Sequence, residues 1–126
     1  MLTADGADLL ALDHWLEALE AQHGHPYGSI KVIALITETA NAVLNGASFT
    51  TPPARVIGYT WGAEDLAAAV GASANRTAEG EFEFTFRLAR SSCLLMAAAA
   101  GIAAYDTTDI EFRDVAAVER RAQASR

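Results

Sequence analysis

Three times along this chain a short apolar run gives way to a helical stretch, with an acid at or just past the change-over: Glu38, Asp65 and Asp106. Residues 30–36 are almost wholly aliphatic, residues 55–60 include Val56, Ile57, Tyr59 and Thr60, and residues 102–105 form a third short run. An unbroken apolar run such as 30–36 predicts a strand buried on both faces, as in a parallel sheet. Strands that alternate with helices imply a parallel sheet joined by right-handed crossovers. All three strand ends, and their acids, then lie along one edge. The expected fold class is α/β with about three parallel βα units.

The middle unit is the most informative. Val56-Ile57-Gly58-Tyr59-Thr60 leads through Trp61-Gly62-Ala63-Glu64-Asp65 into Leu66-Ala67-Ala68-Ala69-Val70, which Gly71 stops. In parallel α/β proteins chemistry gathers at such junctions, because the strand fixes the backbone and the loop presents side chains at the C-terminal edge. Glu64 and Asp65 also suit a helix start for a plain electrostatic reason, since the macrodipole is positive there.

Elsewhere, Leu9, Leu12, Leu16 and Leu19 recur at helical spacing over residues 7–22 with Trp15 beside them, while Asp13, Glu17 and Glu20 are assigned the wet side. Thr3 or Asp5 can cap this helix, and His23-Gly24-His25-Pro26 ends it. Those two histidines read as surface residues, since no third ligand accompanies them. A short helix over 40–44 stops at Asn45-Gly46, and Thr51-Pro52-Pro53 is a loop, as are residues 71–75. Residues 82–100 are read as one helix although Phe82, Phe84 and Phe86 alternate as in a strand. Asp114 caps a last helix over 115–122.

A length of 126 residues suits one compact domain, and 52% hydrophobic content supplies a core. The net charge of −7 argues against nucleic acid, whose phosphates need clustered Lys and Arg. Cys93 is the only cysteine, which excludes an intrachain disulfide and a Cys-based zinc site; in its apolar run it reads as a small buried residue. No apolar run reaches the roughly 18 residues of a membrane span, and no signal-like N-terminal pattern is present. The expectation is a soluble, cytoplasmic protein without membrane partners.

Adjacent parallel strands lie about 4.8 Å apart, so carboxylates at neighbouring strand ends can reach one cation. Oxygen-only ligation suits Mg²⁺, held by one or two carboxylates plus water and substrate oxygens. Acids also occur at strand-to-helix turns as N-caps, and spacing leaves both readings open. Other chemistries lack their signatures: there is no glycine-rich phosphate loop and no nucleophile elbow, and Ser91-Ser92 have no placed base.

Ile36-Thr37-Glu38-Thr39, the run Tyr59 through Gly71, Leu88-Ala89-Arg90-Ser91, Ala104-Tyr105-Asp106-Thr107 and Phe112-Arg113-Asp114 resemble, in this order, the citrate lyase β-subunit family. This is the HpcH/HpaI aldolase and malyl-CoA lyase superfamily. The resemblance covers residues 29–122 and implies a partial (β/α)8 TIM barrel, with residues 1–126 a single fragment of the barrel domain. It implies Mg²⁺-dependent making or breaking of carbon–carbon bonds in acyl-CoA or 2-oxo acid substrates. By motif, the implied metal ligands are Glu38 and Asp65, both expected to be open to solvent. Gly62, Ala63 and Glu64 lie where backbone N–H groups lack intrahelical partners and can bind the carboxylate of the oxo acid. Asp106 matches a strand-end motif and is assigned loop ordering rather than ligation.

The chain departs from the family pattern by omission. A barrel of this type typically needs about 250 residues; this chain corresponds to strands five to seven, and the family's substrate-contacting arginine has no counterpart. Thr108-Asp109 stand where the family has an aliphatic residue and a tyrosine. Two open sheet edges predict association, as a homo-oligomer or with a complementing chain. Two functions follow: part of a citryl-CoA or malyl-CoA lyase-like enzyme, inactive alone, or a non-catalytic α/β module binding a metal–carboxylate ligand or a protein partner. Flanking coding sequence carrying the missing strands would favour the first.

Overall fold

The computed structural model describes residues 5–108 and 113–124. Helix α1 (Gly6–Gln22) is followed by β1 (Val32–Ile36), α2 (Ala40–Leu44), a 3-10 turn (Gly46–Phe49), β2 (Val56–Trp61), α3 (Ala63–Val70), α4 (Phe84–Ala100), β3 (Ala103–Ala104) and α5 (Val115–Ala124). The strands form one sheet in the order β1-β2-β3, parallel throughout. This is the α/β alternation read from the sequence. Consecutive strands are also spatial neighbours, so the βα units lie side by side in chain order.

The sheet is packed on one face, not two. Ala34 pairs with Tyr59 and Ile36 with Trp61, and all four are buried against the helices with Phe86, Ala89, Cys93 and Ala97 of α4. The other face carries Ile33, 49% exposed, and half-buried Leu35. Residues 30–36 are apolar on both faces, but the helices of the described residues cover only one. On the open face, the Tyr105 ring lies over Gly58, where a Cβ would come within 2.5 Å of Tyr105 Cε2. The ladder continues past β3 through a bond from Tyr105 N–H to the Tyr59 carbonyl, 2.7 Å.

Helix α1 begins with a capping box: the Asp5 side chain accepts from the N–H groups of Ala7 and the N3 residue, and Asp8 accepts from the Asp5 N–H. Thr3, the other candidate cap, lies outside the described residues. The buried stripe of α1 is not the leucine stripe. Leu9 is buried, but Leu19 is 46% and Trp15 72% exposed, whereas Asp13 and Glu20, assigned to the wet side, are buried. The reason is Arg55, 1% exposed just before β2. Its Nη1 and Nη2 donate to the two Glu20 oxygens at 2.9 and 3.1 Å, and its Nε donates to Asp13. Glu20 also accepts from the N–H groups of Gly28 and Ile30, and Tyr27 donates its hydroxyl to Asp13. One guanidinium satisfies two carboxylates, which makes their burial tolerable.

Several boundaries differ from expectation: β1 starts at Val32 rather than residue 30, β3 is only Ala103–Ala104, and α5 runs on to Ala124. Helix α4 starts at Phe84, two residues later than read, because Phe82 makes an isolated antiparallel bridge with Arg76. The Phe82 ring packs edge-on against Trp61 with centroids 4.9 Å apart, and the Arg76 guanidinium lies over it. Helix α3 starts at Ala63, earlier than Leu66, and stops at Val70 because Gly71 behind it, φ 68, lies in the left-handed region. Helix α5 begins just after Asp114, whose carbonyl accepts from Val118 N–H. Asp109 and Phe112 lie outside the described residues. No described helix is long and apolar enough to cross a membrane.

Candidate metal centre

The sheet register sets Ile36 level with Trp61, so β1 and β2 end side by side. Past β1, Thr37 adopts φ 65 and is fully buried. Glu38 follows, and Thr39 caps α2 by accepting from Ala42 N–H at 3.1 Å. Past β2, Gly62 is extended (φ −120, ψ 107) and serves as N-cap of α3 without any side-chain cap bond. The sequence thus folds locally as two strand-to-helix turns, the first presenting Glu38 and the second Glu64 and Asp65.

Glu38 and Asp65 meet across Gly62. A Cβ built on Gly62 would lie 3.4 Å from Glu38 Cγ, 3.5 Å from Asp65 Oδ2 and 3.3 Å from Leu35 Cδ2. Glu38 is hydrogen-bonded to Asp65, and burial, with that bond and the charge of Asp65, pushes the Glu38 carboxyl up to about 7. Near neutral pH Glu38 therefore still holds a proton part of the time, in its hydrogen bond with Asp65, as one member of a close carboxylate pair does. Asp65 is exposed as expected, but Glu38 is only 6% exposed. Its approach to Asp65 and the wall of Leu35 removes it from water.

Asp106 does not join them. Among the described residues no group of three or more His, Cys, Asp or Glu side chains is placed to hold a metal ion. Asp106 accepts from Trp61 Nε1 at 2.7 Å and from Arg90 Nε and Nη2 at 3.2 and 2.7 Å, and its Oδ1 takes the Thr107 N–H. Its carbonyl accepts from Thr60 Oγ1. The third strand-end acid thus braces β2 and α4 together beside the site. Arg90 and Trp61 stood in the quoted motifs without a role. The lone sequence signal for their contact was an arginine on one helical stretch and an acid at the next strand end.

A cleft between α4 and the end of β3 is lined by Trp61, Arg90, Cys93, Leu94, Tyr105 and Asp106. Cys93 is no nucleophile there: burial, with the Asp106 charge, pushes its thiol up to about 12. His23 and His25 are exposed loop residues, as read. Gly62 and Ala63 are buried at the start of α3, while Glu64 is exposed and accepts from Asn75 Nδ2 at 2.8 Å. The Glu64 side chain is thereby drawn to the loop, and the backbone of Gly62, Ala63 and Glu64 forms the uncapped helix start.

Residues 2–126 match the HpcH/HpaI aldolase/citrate lyase family. The chain is 36% identical over 92 residues to a citrate lyase subunit beta-like protein of Mycobacterium tuberculosis, covering 73% of this chain and 33% of that protein. It is 35% identical over 105 residues to citrate lyase subunit beta of Haemophilus influenzae, covering 83% and 34%. Among solved structures, the M. tuberculosis citrate lyase beta subunit complexed with oxaloacetate and magnesium superposes with a TM-score of 0.68 at 36% identity, over 75% of this chain and 42% of that one. The M. tuberculosis CitE complex with magnesium, acetoacetate and coenzyme A gives a TM-score of 0.71 at 30% identity, over 86% and 46%. This chain spans about a third of the length of the curated relatives it matches. Its parallel three-unit wall is part of a TIM-barrel-type fold. By the match over nearly its whole length, the chain belongs to the HpcH/HpaI aldolase/citrate lyase family.

Proposed function

We propose that Glu38 and Asp65 together hold Mg²⁺, within a carbon–carbon lyase or aldolase that acts on acyl-CoA and 2-oxo acid substrates. The observation that carries the reading is the convergence of these two carboxyls, from adjacent strand ends, across a residue without a side chain. The donor set fits: both are hard oxygen ligands, and a cation in place of the Glu38 proton would remove their repulsion. Bound there, Mg²⁺ supplies a Lewis acid for the carbonyl and carboxylate oxygens of an oxo acid.

The chain's own groups divide the remaining work. Gly62, Ala63 and Glu64 offer backbone N–H groups at an uncapped helix start, which suits the substrate carboxylate. Asp106 and Arg90 brace Trp61, the residue before Gly62, and so hold the turn. The M. tuberculosis relatives solved with magnesium and oxaloacetate, pyruvate or acetoacetate, and with coenzyme A, support this substrate class. A cytoplasmic enzyme whose open sheet edges pair with a second copy or a complementing chain completes the reading.

Isothermal titration of Mg²⁺ into the purified protein and its Glu38→Gln and Asp65→Asn variants tests it. Each variant should weaken binding by at least about tenfold, and affinity unchanged in both would overturn the assignment. A second reading, a non-catalytic module for a metal–carboxylate ligand or protein partner, draws on one observation. Arg55 and Arg90 are both committed to carboxylates within the chain. Binding of Mg²⁺ and oxo acid without cleavage of an acyl-CoA substrate, even when a complementing chain supplies the missing strands, selects it.

A further inference from the structure

We propose that Thr37 is a positioning residue, whose left-handed backbone at the end of β1 turns the chain so that Glu38 faces Asp65 across Gly62. The inference rests on reading Glu38 and Asp65 as the Mg²⁺ pair. Strand geometry supplies the argument. Successive side chains of a strand alternate between faces, so Glu38 continuing β1 would follow Ala34 and Ile36 onto the helix-covered side. It does not: the Cβ position of Gly62 touches both Glu38 Cγ and Leu35 Cδ2, and Leu35 belongs to the opposite side. Thr37 and Glu38 are consecutive and both buried, which regular alternation on a one-sided sheet does not produce.

The reversal occurs at Thr37, the only described residue other than glycine with a positive φ, 65. A β-branched residue is a poor choice for that conformation; glycine or asparagine adopts it far more readily. Thr37 carries a second unfavourable feature. It is 0% exposed, and among the described residues its Oγ1 has no hydrogen-bond partner. Strain and an unsatisfied hydroxyl in one residue, next to a candidate ligand, mark a backbone held by its surroundings for the neighbour's sake. A glycine would permit the same turn and many others. The buried branched side chain permits few, and so fixes where Glu38 points.

Two substitutions and two readouts test this. Thr37→Gly keeps φ accessible but frees the turn; Thr37→Val keeps the branched shape and replaces the hydroxyl by a methyl. In the metal-free protein, the side-chain carboxyl ¹³C resonance of Glu38 should respond to Asp65→Asn. That response should be lost in the Thr37→Gly background and kept in Thr37→Val. For Mg²⁺, Thr37→Gly should raise the dissociation constant about tenfold or more, with its thermal midpoint within about 4 °C of the parent. Thr37→Val should bind as the parent does. Persistence of the resonance response in Thr37→Gly would overturn the proposal. So would a joint fall of affinity and thermal midpoint, which marks a merely structural residue, or equal loss of binding in Thr37→Val, which would give the role to the hydroxyl. If Glu38→Gln leaves Mg²⁺ binding intact, the metal reading falls, and the metal-free resonance response still decides what Thr37 does.

Discussion

Replacing Gly62 by alanine adds one methyl group at the point where the two carboxyls meet. Its backbone angles, φ −120 and ψ 107, suit any residue, so alanine introduces no conformational strain. Reduced freedom of the unfolded chain favours alanine by about 0.4–1 kcal/mol. Against this, the methyl would sit 3.3 Å from Leu35 Cδ2 and 3.4 Å from Glu38 Cγ, so both must yield by a few tenths of an ångström. Leu35 Cδ2 is the end of a flexible, half-buried side chain and yields cheaply. The net effect on folding should stay within about 1 kcal/mol of zero. Ligation is affected quite differently. Mg²⁺ demands near-ideal octahedral geometry at about 2.0–2.1 Å from its oxygens. A methyl 3.5 Å from Asp65 Oδ2 and against Glu38 occupies the space through which the two must close. Displacement of a ligating carboxylate by its neighbours commonly weakens binding by about 10–100-fold, or about 1.4–2.7 kcal/mol. Urea unfolding in EDTA and calorimetric Mg²⁺ titration should therefore diverge in Gly62→Ala, with stability held and affinity lost. Unchanged affinity would show that the cation binds elsewhere. Parallel loss of both would show that Gly62 only makes the turn.

Two further outcomes follow from the buried acids. Glu38 has its folded pKa raised from 4.5 to about 7, so between those values the folded chain keeps a proton that the unfolded chain has released, and stability falls as pH rises through the window. Without metal, Glu38→Gln should therefore melt above the parent at pH 8 and no higher than it at pH 4; a variant that melts below the parent at pH 8 would contradict the raised pKa of Glu38. Glu20 runs the other way: chiefly its bonds from Arg55 lower its pKa from 4.5 to about 2, so its stabilising contribution is present above pH 4.5 and is lost as pH falls towards 2. Thermal midpoints should drop across that acid window in the parent and drop less steeply in Glu20→Gln, and equal slopes would refute the clamp.

What could be read in the sequence depended on how local the signal was. The βα alternation was legible because each element announces itself within a few residues: the aliphatic run 30–36, the helix formers 66–70, the stop at Gly71. Phe82 shows the limit. Its alternation with Phe84 and Phe86 is a strand signal, and the residue does bridge Arg76, yet helical residues beginning two positions later obscured the boundary. Asp13 and Glu20 failed for a different reason. Seven residues apart on α1 they share a face, but charge alone assigns that face to water. Only Arg55, 42 and 35 positions further on, reverses the assignment, and nothing in a helical pattern records a distant guanidinium.

The site divides along the same line. That Glu38 and Asp65 could meet followed from strand ends that a parallel sheet must align. That Asp106 would stay apart did not follow from the spacing, in which all three acids occupy equivalent places; only the family resemblance set it aside for loop ordering. The difference lies in side-chain partners. Asp106 has an arginine and an indole N–H within reach and is drawn to them, so its charge is neutralised before any cation need be considered. Glu38 and Asp65 face each other with a glycine between them, and among the described residues no arginine or lysine is paired with either. A carboxyl already paired with a guanidinium is a poor recruit for a metal, whereas two close carboxyls, one of them pushed towards its protonated form, gain most from one. The same rule that makes Asp106 a brace thus makes the other two the candidate ligands. It also explains why Thr37, which turns Glu38 away from the hydrophobic side of its own strand, matters more to the site than its plain side chain suggests.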